Sequence, residues 1–365
     1  MECLHLPELS YMDFTDRLEE RLAGRRIPLS GSIELTERCN LRCVHCYINQ
    51  PVEDIGRQAR ELTFFEWDRL LGEIADEGCL WLLLTGGEIF VRPDALRIYE
   101  TAKRKGLLIT LFTNGTTITQ RIADFLAEWP PTAIEITIYG ATERTFEAVT
   151  RTPGSYRNFL QGIERLVEHR LPVKLKTTAM TLNHHELSAM QEFADLAGLD
   201  FRIDPLLTCR ADGQVGPAKL RLSPEDVLQI DMNDPRRRKE WHEFCDRFLD
   251  ARIDTDHLYA CAAGVRSFHI DAHGQLSMCL IARQPAHDLR VGSFHDGWHS
   301  FLATVRTLPA PRDFPCNRCA VVALCGQCPG WSQLEHGPTE NARPVAYLHQ
   351  VAQMRAKAFG LKMEL

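Results

Sequence analysis

Ser32-Ile33-Glu34-Leu35-Thr36 reads as a short strand, and it runs directly into Glu37-Arg38-Cys39-Asn40-Leu41-Arg42-Cys43-Val44-His45-Cys46-Tyr47, a loop with three cysteines spaced C-x3-C-x2-C. Outward from these two segments the chain keeps a regular beat. From Ile33 to Asp204 apolar runs of strand length alternate with amphipathic stretches of helix length, the pattern of strand-helix units around a parallel sheet. Further strands are expected at Leu80–Leu84, Leu107–Phe112, Ala133–Tyr139, Val173–Met180 and Asp200–Asp204. Between them, Thr63 and Glu66 make a capping box for a helix over Leu62–Glu77 that stops at Gly78. Pro93 and Gly106 bracket a second helix, and Thr119–Glu128, Tyr156–His169 and Asn183–Leu196 supply three more. Six units fall short of the eight that close a full barrel, so the expected fold class is α/β, a partial (β/α)6 TIM-like barrel with ligands at the C-terminal strand ends.

After Asp204 the beat breaks. Ser223-Pro224-Glu225 caps a helix running toward the charged stretch Arg236–Glu240, and from Tyr259 the chain is rich in Cys, Gly, Pro and His. Phe268–Gly274 carries a hairpin signal, and a helix over Val345–Phe359 ends the pattern. The expected division is an N-terminal extension over 1–28, the barrel over 29–235 and a cysteine-rich domain over 236–365.

Composition narrows the function classes. The chain has 365 residues, 44% hydrophobic and 25% charged, enough for one large domain or two moderate ones, and it contains no apolar run of membrane-spanning length. The N-terminus carries an acid and no apolar stretch follows, so no secretory signal is expected and the cytoplasm is the expected location. Lys and Arg number 42 against 49 Asp and Glu, a net charge of −7, which lacks the basic surplus of a nucleic-acid binder. Thirteen cysteines in a reducing compartment point to metal chemistry rather than disulfides. Four of them, Cys3, Cys79, Cys209 and Cys245, are scattered and read as small buried hydrophobes.

A tetrahedral zinc at Cys39, Cys43 and Cys46 needs a fourth ligand nearby, and the adjacent His45 is poorly placed to supply one. Three thiolates on one short loop suit three corners of a 4Fe-4S cluster, with the fourth iron left open. Cys39–Tyr47 resembles the cluster loop of the radical S-adenosylmethionine (radical SAM) superfamily. In that superfamily the open iron chelates S-adenosylmethionine, which an electron from the cluster cleaves to a 5'-deoxyadenosyl radical. Thr85-Gly86-Gly87-Glu88 resembles the motif that contacts the methionine amino group; two glycines permit close ligand approach, and the Glu88 carboxylate is an acceptor for an ammonium. An ordinary glycine turn with a capping acid is the plainer reading. The resemblance also puts Thr113, Asn114 and Thr137 in the cofactor pocket, while Tyr139 stands where the superfamily often has Asp.

The C-terminal cysteines resemble the SPASM extension of a subset of these enzymes. Cys261 is followed after twelve residues by Gly274 and after four more by Cys279; then come Cys316-x2-Cys319-x5-Cys325-x2-Cys328. The resemblance implies an inner auxiliary cluster on Cys261, Cys279 and Cys328 and an outer one on Cys316, Cys319 and Cys325. Cys328 is the last cysteine, where the pattern has one more, and His349 is the candidate to replace it. A zinc ribbon is the alternative for the four-cysteine group.

SPASM enzymes largely modify peptides, so the expected activity is hydrogen-atom abstraction from a ribosomally made precursor peptide by an oxidoreductase-type maturase. Leu280 stands where formylglycine-forming maturases carry Asp, which argues against that subgroup. The expected partners are the precursor peptide, a separate peptide-recognition protein, and an electron donor such as flavodoxin or ferredoxin. Cys209, just past the sixth strand, is a candidate hydrogen-atom donor if it faces the pocket. The runner-up is a radical SAM dehydrogenase or oxidase of a small molecule such as a tetrapyrrole or aminosugar. An electron-carrying scaffold would not need Gly86, Gly87 and Glu88.

Overall fold

The computed structural model describes residues 17–18, 20–48, 50–248, 256–338 and 342–359; Cys3 and most of the expected N-terminal extension lie outside these. Six strands, β1 (Ser30–Glu34), β2 (Trp81–Thr85), β3 (Leu108–Thr113), β4 (Ala133–Thr137), β5 (Val173–Thr178) and β6 (Asp200–Asp204), pair in parallel in chain order. Helices pack on them as the alternating pattern requires. Thr63 caps the helix Phe64–Asp76: its hydroxyl accepts from the Glu66 N–H while the Glu66 carboxylate accepts from the Thr63 N–H at 2.7 Å. That helix buries Trp67, Leu70, Leu71 and Ile74, one stripe at helical spacing.

The helices depart from expectation in several places. Glu143–Thr150, capped by Thr142, fills a stretch that carried no helix signal. The single helix expected after Ser223 is two, Pro224–Asn233 and Pro235–Phe248. Pro235 has no N–H to continue the first, and the Asp234 side chain accepts from the Arg236 N–H at 2.8 Å to start the second.

The sheet does not end at β1. Strand β7 (Ser267–Ile270) joins β1 in parallel on its free edge, and β8 (Gln275–Ser277) and β9 (His287–Asp288) continue antiparallel, making nine strands in all. Gly274 turns the β7–β8 hairpin with φ +87°, a value glycine tolerates and other residues resist. The cysteine-rich segment therefore shares its sheet with the barrel. A second apolar cluster, including Val321, Leu324, Cys325, Leu348 and Ala352, is closed by the terminal helix Ala346–Ala358.

One buried charge joins the two halves. Glu34 at the end of β1 is fully buried; its carboxylate accepts from Arg283 at 2.5 and 3.0 Å and from the Tyr47 hydroxyl at 3.1 Å, with His269 Nε2 at 3.8 Å. Burial alone would raise the Glu34 carboxyl, but the Arg283 guanidinium and His269 hold it well below the ordinary carboxylate range. A carboxyl lowered in the folded state adds stability above its unfolded value, about pH 4.3, and loses it as pH falls toward the folded value. Glu34→Gln should therefore flatten the decline of urea-unfolding stability below about pH 5 relative to wild type, while lowering stability at pH 7. An unchanged acid limb would show that Glu34 does not govern it.

Candidate functional site

The C-terminal ends of β1 to β4 converge on the cysteine loop. The loop is tied to the newly found helix, with Arg42 and Val44 N–H groups donating to Thr150 and Val149 carbonyls at 2.9 and 3.0 Å. Gly86 and Gly87 after β2 press against the backbone leading into the loop: a Cβ on either would run into the carbonyl of Thr36 or Arg38. Gly87 N–H donates to Thr36 O at 2.8 Å and Glu88 N–H to Arg38 O at 2.9 Å. The glycines thus admit the chain's own backbone rather than a ligand at this contact. Behind this contact Arg38, 3% exposed, makes two hydrogen bonds to Glu61 at 2.9 and 3.1 Å, and Arg92 donates to Leu35 and Leu62 carbonyls.

Glu88 is completely buried. Its carboxylate accepts from the Thr113 hydroxyl at 2.8 and 2.9 Å, the Asn114 N–H at 2.8 Å and the Phe90 N–H at 3.2 Å, and burial raises its carboxyl despite these donors. Asn114 in turn donates to Cys39 Sγ at 3.6 Å and to Asn40 Oδ1 at 2.9 Å. Glu88, Thr113, Asn114 and Cys39 therefore form one connected polar group. Thr137 ends β4 half-buried. Tyr139, two residues on, has its hydroxyl near enough to Cys43 to favour that thiol's ionisation, and its ring lies 5.1 Å from the His45 ring. Its position was read as a departure from a family pattern; its contact with a cysteine had no signal in the sequence. Burial pushes the His45 imidazole down to about 4, so the ring is neutral, and its Nδ1 is buried without a hydrogen-bond partner.

The cysteines fall into three groups. Cys39, Cys43 and Cys46 lie close enough to disfavour one another's ionisation. Cys261, Cys279 and Cys328 do the same, and so do Cys316, Cys319 and Cys325. Burial and neighbouring charge push the Cys39 thiol up to about 12, Cys328 to about 12 and Cys325 to about 11. Such thiols surrender their protons only beside a strong cationic centre. Backbone donors already point at the sulfurs: Leu41 N–H at Cys39, Ala282 N–H at Cys279 and Trp331 N–H at Cys328, at 3.3 to 3.4 Å. Sulfurs around one tetrahedral zinc sit roughly 3.8 Å apart. Among the described residues none of the three trios brings its sulfurs all within 4.8 Å of one another. The wider spacing and the aimed N–H groups fit iron-sulfur clusters better than single ions.

Two candidates lie elsewhere. Cys209 is fully buried beside Arg221 and Glu335, while its neighbours Thr208 and Ala211 line the cavity at the strand ends. A hydrogen-atom donor must reach that cavity, so the plain reading of a buried small residue applies. His349 is half-buried on the terminal helix, whose inner face is Leu348, Val351, Ala352 and Arg355. The charges that act on Cys325 include those of Cys316, Cys319 and Arg355.

The Radical SAM superfamily model matches residues 33–197. The AdoMet-dependent heme synthase of Methanosarcina barkeri is 34% identical over 165 residues, 45% of this chain and 46% of that protein, so the match spans about half of that relative's length. The antilisterial bacteriocin subtilosin biosynthesis protein AlbA of Bacillus subtilis is 26% identical over 320 residues, 83% of this chain and 67% of that one. The crystal structure of Streptococcus suis SuiB bound to precursor peptide SuiA shares the fold, with a TM-score of 0.66 at 15% identity over 95% of this chain and 83% of that one. No helix among the described residues is long and apolar enough to cross a membrane. With its cysteine loop, glycine turn and buried Glu88 set at the ends of parallel strands, this chain carries, over residues 33–197, a radical SAM domain.

Proposed function

We propose that this chain abstracts a hydrogen atom from a residue of a ribosomally made precursor peptide. The observation that carries the reading is a cavity of about 380 Å³ between the two halves of the molecule. Tyr47, next to Cys46, forms one wall, and Leu280, Ile281 and Arg283, just after Cys279, form another. Trp331 and Leu334 add an apolar side, and Asp204 a charged one. Such a chamber suits one amino-acid side chain with its flanking backbone, held between the radical SAM site and the inner cysteine trio.

The radical SAM domain uses a 4Fe-4S cluster and S-adenosylmethionine, which together supply a 5'-deoxyadenosyl radical. Cys39, Cys43 and Cys46 would hold the cluster, and the Glu88, Thr113 and Asn114 group would shape the place for the cofactor's methionine end. Arg283 would keep the cavity wall fixed, because its three nitrogens are committed to Glu34 and to the Leu280 carbonyl. The match to the heme synthase supports a tetrapyrrole substrate as the second reading, but it covers only 45% of this chain, whereas the match to the bacteriocin biosynthesis protein covers 83%. The breadth of the latter favours a peptide. A separate recognition protein, a flavodoxin or ferredoxin donor, and a cytoplasmic setting complete the proposal.

Anaerobically reconstituted protein, given S-adenosylmethionine, a reductant and a short peptide encoded beside it, should form 5'-deoxyadenosine together with a mass change in the peptide. Replacement of Cys39, Cys43 and Cys46 by Ala should abolish both. Turnover of a tetrapyrrole with no change in the peptide would establish the second reading instead. Glu88→Ala should weaken S-adenosylmethionine binding by roughly 1.5 to 3 kcal/mol, about 10- to 150-fold, because Asn114 and Thr113 lose their acceptor. Iron content should stay at the wild-type level. An unchanged dissociation constant would leave Glu88 with a purely structural role.

A further inference from the structure

The helix Phe64–Asp76 ends at Glu77, close to the start of β2 and therefore a strand length from the glycine turn. Two histidines from the segment after β9 meet it there. One Glu77 oxygen pairs with His295 Nδ1 at 2.5 Å and the other with His299 Nε2 at 2.8 Å, and the two rings lie 4.5 Å apart. One nitrogen from each ring and one carboxylate oxygen all fall within 4.8 Å of one another, the only such convergence of three or more His, Cys, Asp or Glu side chains among the described residues. We propose that Glu77, His295 and His299 bind a divalent transition-metal ion, zinc by preference, as a clasp on the outside of the barrel.

The donor set is the first argument. Two imidazoles and one carboxylate are an ordinary zinc set, with water completing the coordination at an exposed site. The second is rigidity. His295 and His299 stand four residues apart on a turn whose other face, Phe294 and Trp298, is fully buried. Gly297 between them packs so closely that a Cβ would run into Leu276. Arg26 stacks over Trp298 at 4.8 Å and donates to its carbonyl at 2.9 Å. The ligands are thus carried on a fixed platform rather than on loose side chains.

Charge is the third argument. If both rings held protons, two neighbouring cations would share one carboxylate; a single divalent ion replaces both protons and leaves the imidazoles neutral. The clasp would also follow an existing seam. Phe294 N–H donates to the Glu73 carboxylate at 2.7 Å, and Arg69 donates to the Leu289 carbonyl at 2.6 Å, so the same helix is already sewn to the same segment. An ion bound only by the folded chain would stabilise that seam by mass action.

The test is titration of the cluster-reconstituted protein with zinc chloride under anaerobic conditions, followed by calorimetry and thermal unfolding. Wild type should take up about one equivalent of zinc more than the His295→Ala/His299→Ala double variant, and zinc should raise the unfolding temperature of wild type only. Glu77→Gln, which keeps a hydrogen-bond acceptor but loses the charge, should bind at least about tenfold more weakly. Iron content and visible iron-sulfur absorption should be the same in all three proteins, which separates this site from the cysteine sites. Equal zinc uptake and equal unfolding response in wild type and the double variant would overturn the proposal and leave the trio as surface ion pairs.

Discussion

A carboxylate removed from water must find its counter-charge inside the protein, and Glu34 finds it in pieces of chain that otherwise have no reason to meet. Tyr47 reaches it from beside the last cysteine of the first loop, His269 from the strand added to the sheet edge, and Arg283 from the loop after Cys279. Leaving any of these unpaired at full burial would cost several kcal/mol, so the ion pair fixes register more than it adds net stability. The cavity wall, the cysteine loop and the inner trio take their relative positions from this one anion.

A second constraint is close backbone approach. The turn after β2 touches the chain just before the first cysteine because residues 86 and 87 have no side chains, and Glu88 then reaches across to β3. One hydrogen-bonded group is thereby made, from Cys39 through Asn114 to Glu88. Low local dielectric strengthens each link and also makes each costly to break.

What could be read in the sequence was what is local or periodic. The capping box at Thr63 and Glu66, the strand Asp200–Asp204 and the hairpin turn at Gly274 depend on neighbours a few residues away, and the structure has them in place. The helix Glu143–Thr150 escaped because eight residues between a strand and a longer helix resemble a connection. The Glu34–Arg283 pair spans 249 positions and leaves no periodic trace. Cys209 admitted two readings, buried small residue or cavity thiol, for a related reason. In an irregular segment no repeat tells which side chains turn inward, and there the choice fell to Arg221 and Glu335.

The three cysteine groups differ in how much chain each must gather. The first lies within residues 39–46 and the outer one within 316–325, so either loop is complete almost as soon as it is made. The inner group draws Cys261 and Cys279 to Cys328, across a long intervening segment whose closure costs conformational entropy that grows with the logarithm of its length. Ligands for that group come from the sheet edge, the hairpin and the final cysteine motif, three pieces that the fold must bring around one another. A metal centre held there would tie these pieces to one another, and its binding free energy would count toward the folding of the C-terminal half.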